Sequence, residues 1–144
     1  MILLDSDVMI DLLRGYPPAV AWFDGLPEEE EIILPGFVVM ELMQGCRNRD
    51  ELERLQRAVS PYGIFWPKPA DCDRALKSFA QYHLSQNAGL LDVLIAHTAL
   101  ALDIPLHTFN QKLDIGKKGM TALRLVFPNE SRSASHAQPD YSTF

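Results

Sequence analysis

The sequence predicts an α/β fold: a three-layer α/β/α arrangement with a short central parallel sheet of four to five strands. Short, wholly apolar runs alternate with longer segments of helical periodicity along the chain. Those runs lack the apolar–polar alternation of a strand with one wet face, so each reads as covered by helices on both sides. A chain of 144 residues, 47% of them apolar, suits one domain around one hydrophobic core.

Ile2-Leu3-Leu4 is the first buried strand, ended by the polar Asp5-Ser6-Asp7. Val8 to Arg14 has helical character and is broken by Gly15 and Pro17-Pro18, after which Ala19 to Phe23 forms a short second helix. Glu28 to Glu31 is a charge run, read as a solvated loop or helix end. Ile32-Ile33-Leu34 is the second strand, stopped by Pro35. Phe37 to Gly45 reads as a helix with a glycine stop. Asp50 to Val59 is amphipathic, with Leu52, Leu55 and Val59 on one stripe. Tyr62, Ile64 and Trp66, interleaved with Gly63 and Phe65, make a third strand. Asp71 to Leu84 is a helix expected to turn Leu76, Phe79 and Ala80 inward. Leu90 to Leu102 is apolar almost all round and is expected to be deeply buried. Ile104 to Thr108 and Leu123 to Phe127 supply the fourth and fifth strands. Residues 129–144 are polar and Ser-rich, so 1–128 is read as the domain and the rest as a mobile tail.

The formal net charge of −6 argues against a general nucleic-acid binder, which needs clustered Lys and Arg. It leaves room for a carboxylate site whose phosphate contact is made by divalent cations. No apolar run reaches the roughly 20 residues of a membrane span, and the N-terminus lacks the basic start of a signal peptide. Cys46 and Cys72 form no CxxC pair and read as buried free thiols in a reducing compartment. A cytoplasmic protein with no membrane partner is expected.

The informative residues are acids set in apolar surroundings. Carboxylates are almost never fully buried unless paired, so each of these asks for a partner. Asp5 stands at the carboxyl tip of the first strand, where parallel α/β sheets bind ligands, although Asp5, Ser6 and Asp7 also suit a helix N-cap. Glu41 is the sole charge between Ile32 and Cys46; it is either functional or an exposed edge paired with Arg47. Asp92 lies in the first turn of its helix, where the dipole favours an anion and where capping is the plain alternative. His97 points away from Asp92 and reads as a hydrogen-bonded, partly buried histidine; His83 and His107 show no ligand spacing. Three carboxylates at helix or strand ends, without Cys or His, suit Mg²⁺ or Mn²⁺ and phosphodiester hydrolysis.

These residues carry a resemblance. Leu3-Leu4-Asp5-Ser6-Asp7-Val8-Met9-Ile10 resembles the opening motif of PIN domains, and Glu41-Leu42-Met43-Gln44-Gly45 resembles their second acidic motif. Asp92-Val93-Leu94-Ile95-Ala96 resembles the third, and Ile104 to Asn110 the following strand with its closing Thr-x-Asn/Asp. The order holds from Met1 to about Phe127. Among PIN domains the chain resembles the VapC toxins of toxin–antitoxin pairs. That resemblance implies a PIN-like fold and an endoribonuclease that acts on RNA with Mg²⁺ or Mn²⁺. It also implies a homodimer inhibited by a cognate antitoxin. It carries over Asp5, Glu41 and Asp92 as catalytic carboxylates and metal ligands, with Asp5 and Asp92 the best direct ligands. Asn110 falls at the fourth catalytic position, and Ser6, Asp7 and Thr108 are supporting residues. Asn110 departs from the usual Asp, and Asp114, close by, lies one place off where the pattern wants an acid; Arg14, Arg47 and Lys112 are candidate phosphate contacts. Leu52, Leu55 and the apolar face from Phe79 are candidate dimer surfaces. Two other readings stand beside this one. Asp5-Ser6-Asp7 also resembles the first motif of haloacid-dehalogenase phosphatases, with Asp5 as nucleophile and Asp7 as acid, but no later acidic pair follows. The third reading is a catalytically inactive PIN-like binding module, towards which Asn110 leans.

Overall fold

In the computed structural model, residues 1–109 and 125–126 are described. The elements run β1 (Ile2–Leu4), α1 (Ser6–Leu13), α2 (Pro17–Asp24), β2 (Ile32–Pro35), α3 (Gly36–Gln44) and α4 (Arg49–Val59). They continue with β3 (Gly63–Phe65), α5 (Pro69–Gln86), α6 (Leu90–Leu102), β4 (Leu106–His107) and β5 (Leu125–Val126). The five strands form one all-parallel sheet in the order β3-β2-β1-β4-β5, flanked by helices in three layers. No described helix is long and apolar enough to cross a membrane.

β1 takes the centre because Ile2, Leu3 and Leu4 are apolar towards both faces and all three are buried. Ile2 lies opposite Ile32 of β2, and Leu3 lies opposite Leu106 of β4. Leu3, Leu4, Met9, Leu34, Leu42, Ile95 and Leu106 are the largest fully buried side chains and anchor the core. The chain steps outward from β1 through β2 to β3, then returns across α5 and α6 to β4 on the other side of β1. That reversal makes the gap between the carboxyl ends of β1 and β4 the switch point, where open α/β sheets hold ligands. Two bonds fasten it: Leu3 N–H donates to Pro105 O at 3.0 Å, and Asp5 N–H donates to His107 O at 3.0 Å.

Several expectations are corrected. The first five helices begin one or two residues earlier than their apolar periodicity suggested, because a first turn needs no buried residue and proline fits it well. Pro35 does not stop β2 but is its last residue, opposite Phe65. β3 is an edge strand rather than a buried one, leaving Ile64 50% and Trp66 59% exposed. On α5, Leu76 and Ala80 face outward, and Phe79 packs inward without them. Leu55 belongs to the core cluster and is not available as a dimer surface. The thiols are not both buried: Cys72 is exposed, and Cys46 is half-buried with its Sγ 3.6 Å from Leu42 O. His97 behaves as expected, its Nε2 2.9 Å from Ser78 Oγ across α5 and α6. Residues 129–144 and all of the fifth-strand segment except Leu125–Val126 lie outside the described residues.

Candidate active site

Asp5 is the turning point between β1 and α1. Its backbone is extended (φ −81°, ψ 162°), so its N–H still belongs to the sheet while its side chain caps the helix. Oδ1 accepts from Ser6 N–H at 2.6 Å and lies 3.3 Å from Ser6 Oγ. Oδ2 accepts from the Thr108 hydroxyl at 2.8 Å, across the switch point. The capping and site readings of Asp5 therefore hold together, because one carboxylate has two oxygens to commit. The residue is only 4% exposed.

Burial pushes the Asp5 carboxyl up to about 6; the Thr108 hydroxyl and Ser6 N–H pull it down, while the charges of Asp92 and Glu41 raise it further. The fold thus brings the three acids within electrostatic reach of one another, although 87 residues separate the first from the last. Glu41 reaches the site from the second turn of α3, half-buried. Its suggested partner Arg47 is engaged elsewhere, donating to Glu51 at 2.9 Å. Asp92 reaches it from the first turn of α6, whose N-cap is Gly89 and makes no side-chain cap bond. Gly89 is a residue that motif reading missed. A Cβ there would stand 2.6 Å from Asp92 Oδ2, so glycine clears the space the carboxylate occupies. A glycine three positions before an in-helix Asp was the available signal.

Asp7 Oδ2 accepts from Phe109 N–H at 2.9 Å and lies 3.3 Å from Thr108 Oγ1. Among the described residues its Oδ1 is buried without a partner. Burial, then the Asp5 charge, hold the Asp7 carboxyl well above the usual carboxylate range. Arg14 caps the far end of α1, away from Asp5. Asn110, Lys112 and Asp114 lie outside the described residues.

Among the described residues no three Asp, Glu, His or Cys side chains converge tightly enough to grip an ion unaided. The donor set still fits a hard divalent cation. Mg²⁺ commonly takes one or two carboxylates and keeps several waters, and an oxygen-only set excludes the usual Zn²⁺ preference. A cation would also relieve the mutual repulsion that raises Asp5.

A parallel sheet with acids in electrostatic reach of one another at its switch point defines an α/β protein with an acidic strand-end site. A family model described as the PIN domain matches residues 2–118, and the chain belongs to the PIN-domain family. It is similar in fold to a toxin–antitoxin complex from Klebsiella pneumoniae, with TM-score 0.72 and 24% identity over 90% of this chain and 99% of that one. It is similar also to VapBC-1 from nontypeable Haemophilus influenzae (TM-score 0.70, 22% identity, 89% of this chain and 98% of that one). FitAcB from Neisseria gonorrhoeae gives TM-score 0.70 at 24% identity, over 89% and 98% of the two chains. No curated protein sequence matches the chain. Membership of the PIN family leaves the haloacid-dehalogenase reading without support.

Proposed function

We propose that the chain is a metal-dependent endoribonuclease that hydrolyses RNA phosphodiester bonds, and that it is the toxin of a toxin–antitoxin pair. The observation that carries the catalytic half is the buried Asp5 carboxyl, raised to about 6 partly by the charges of Asp92 and Glu41. Fixed acids crowded at a ligand-binding strand end cost stability and are retained where a cation and an anionic substrate use them. The partner half is supported by the solved structures of like fold, which are toxin–antitoxin complexes.

In this reading Asp5 and Asp92 hold Mg²⁺ or Mn²⁺, with Glu41 joining directly or through water. A divalent cation held by these carboxylates would supply Lewis-acid chemistry, lowering the pKa of a water and offsetting charge on phosphoryl oxygens. Ser6 N–H and the Thr108 hydroxyl keep the Asp5 oxygens aimed, so little reorganisation accompanies the reaction. Asn110 supplies a neutral oxygen at the fourth position, where it would position water or hold a second ion weakly, and Asp114 is the nearest substitute acid. The cognate antitoxin would inhibit the enzyme by covering this site. A homodimer would use the outward row of α5, where Leu76 and Leu84 are 66% and 93% exposed, with Leu90 of α6 beside it.

The test is cleavage of mixed total RNA with Mg²⁺ or Mn²⁺, beside EDTA and Asp5→Ala controls. Cleavage lost in both controls is expected. Asn110 favours one other reading, an inactive PIN-like binding module; folded protein that neither cleaves RNA nor binds Mn²⁺ in a titration would establish it instead.

A further inference from the structure

β4 is only two residues long, Leu106–His107, and its ladder to β1 ends with the bond between Asp5 N–H and His107 O. Among the described residues, strand pairing ends at His107. Yet the hydroxyl that holds Asp5 Oδ2 belongs to Thr108, the next residue, and the chain then runs through Phe109 to Asn110. Something must hold this exit.

We infer that Asp7 is a positioning residue: its carboxylate clamps the chain leaving β4 through Phe109 N–H and so sets the Thr108 hydroxyl on Asp5. The bond from Phe109 N–H to Asp7 Oδ2, at 2.9 Å, extends the ordered pairing two residues past the strand. Thr108 Oγ1 has one proton; at 2.8 Å from Asp5 Oδ2 and 3.3 Å from Asp7 Oδ2, that proton belongs chiefly to Asp5. Asp7 thus acts on Thr108 mainly through the peptide that follows it. It does so from the second residue of α1, rigidly joined to Asp5 by the helix start, so both ends of the clamp refer to the same two elements. A plain helix cap does not account for this, because the side-chain cap of α1 is Asp5, and the Asp7 bonds cross 101 and 102 residues of sequence.

The inference rests on the nuclease reading only for its activity arm. The experiment compares Asp7→Asn, Asp7→Ala, Thr108→Val and the Asp7→Ala/Thr108→Val double variant. It measures Mn²⁺ affinity by titration calorimetry, kcat and KM on an RNA substrate, and thermal melting. Asn keeps the acceptor for Phe109 N–H and removes the charge, so Asp7→Asn should stay within about threefold of the parent in affinity and kcat. Asp7→Ala should lose on the order of tenfold in both, with KM little changed, as a displaced group at the reacting centre does. Adding Thr108→Val to it should cost little more, since both act on the same Asp5 bond. Loss in Asp7→Asn as large as in Asp7→Ala would overturn the inference and make the charge itself the active feature. So would unchanged Mn²⁺ affinity in Asp7→Ala, or full additivity in the double variant. Should Asp7→Ala not fold, Asp7→Val, which fills the space but has no acceptor, takes its place with the same expected loss; Mn²⁺ affinity unchanged in Asp7→Val would overturn the inference. If the parent binds Mn²⁺ but cleaves no RNA, the calorimetric arm still decides the clamp and only the nuclease reading fails; if it binds no Mn²⁺ either, melting decides, Asp7→Ala being expected to melt below Asp7→Asn and equal melting overturning the clamp.

Discussion

Asp5 holds opposing influences on one carboxylate. Burial favours its neutral form, while the Thr108 hydroxyl and the Ser6 N–H favour the charged one. Removing the hydroxyl removes a stabiliser of the anion, so Thr108→Val should move the acid limb of the pH–rate profile upward, by up to about one unit. A limb that stays put would show that the Thr108 proton does not serve Asp5. The same residue links pH to stability. Its folded value of about 6 lies above the ordinary 3.8, so the folded chain binds the proton more tightly than the unfolded chain does. The stability it contributes is present below the lower value and is lost as pH rises through the upper one. Asp7 shifts in the same direction. In EDTA, Asp5→Asn should therefore gain on the parent in chemical denaturation as pH rises from about 4 to about 7.5, by up to about 3 kcal/mol. An advantage that stays constant across that range would refute the linkage.

At the scale of elements, α6 shows how a helix end is shaped by a neighbouring acid. Its N-cap is Gly89 at φ −74°, an angle any residue adopts, so backbone freedom is not the reason for glycine. Space is the reason: the Asp92 carboxylate lies where a side chain would begin. Gly89→Ala should keep the helix and most of the stability but turn Asp92 aside, weakening Mn²⁺ binding on the order of tenfold in a titration. Equal affinity in the two proteins would mean that Asp92 finds its place despite the methyl group. A similar fit occurs where Trp66 lies against Gly36, since a Cβ on Gly36 would run into the indole. There, the first residue of α3 is glycine because the indole just after the edge strand folds over it.

At the scale of the molecule, the proposed cation site predicts that the folded state responds to divalent cations. A ligand that binds only the folded chain stabilises it by RT ln(1 + [L]/Kd), about 2.7 kcal/mol at a hundredfold excess over Kd. Mn²⁺ should therefore raise Tm near neutral pH, and the rise should shrink towards about pH 5 as protons compete for the carboxylates. Scanning fluorimetry with and without EDTA reads both effects. A Tm indifferent to millimolar Mn²⁺ would leave the crowded acids without the ion proposed for them.

The sheet was legible because Ile2-Leu3-Leu4 and Ile32-Ile33-Leu34 are too short and too uniformly apolar for anything but buried parallel strands. Asp5, Glu41 and Asp92 stood out because charge amid apolar residues is costly wherever it lands. Local pattern could not tell which way α5 turns: Leu76 looks like a core residue, and only packing against α6 shows that it faces outward. Nor could it pair Arg47 with Glu51 over Glu41, since both acids lie within reach along the chain and the helix geometry decides.

By itself the sequence determined the alternation of strands and helices and the acids that need a partner, because hydrophobic period and misplaced charge are properties of short segments. Only the tertiary structure decided that β4 returns beside β1, that Thr108 therefore meets Asp5, and that Asp7 holds the exit through Phe109. Those contacts join residues about a hundred positions apart, and no local energy records them; they exist because the chain reverses its direction across the sheet.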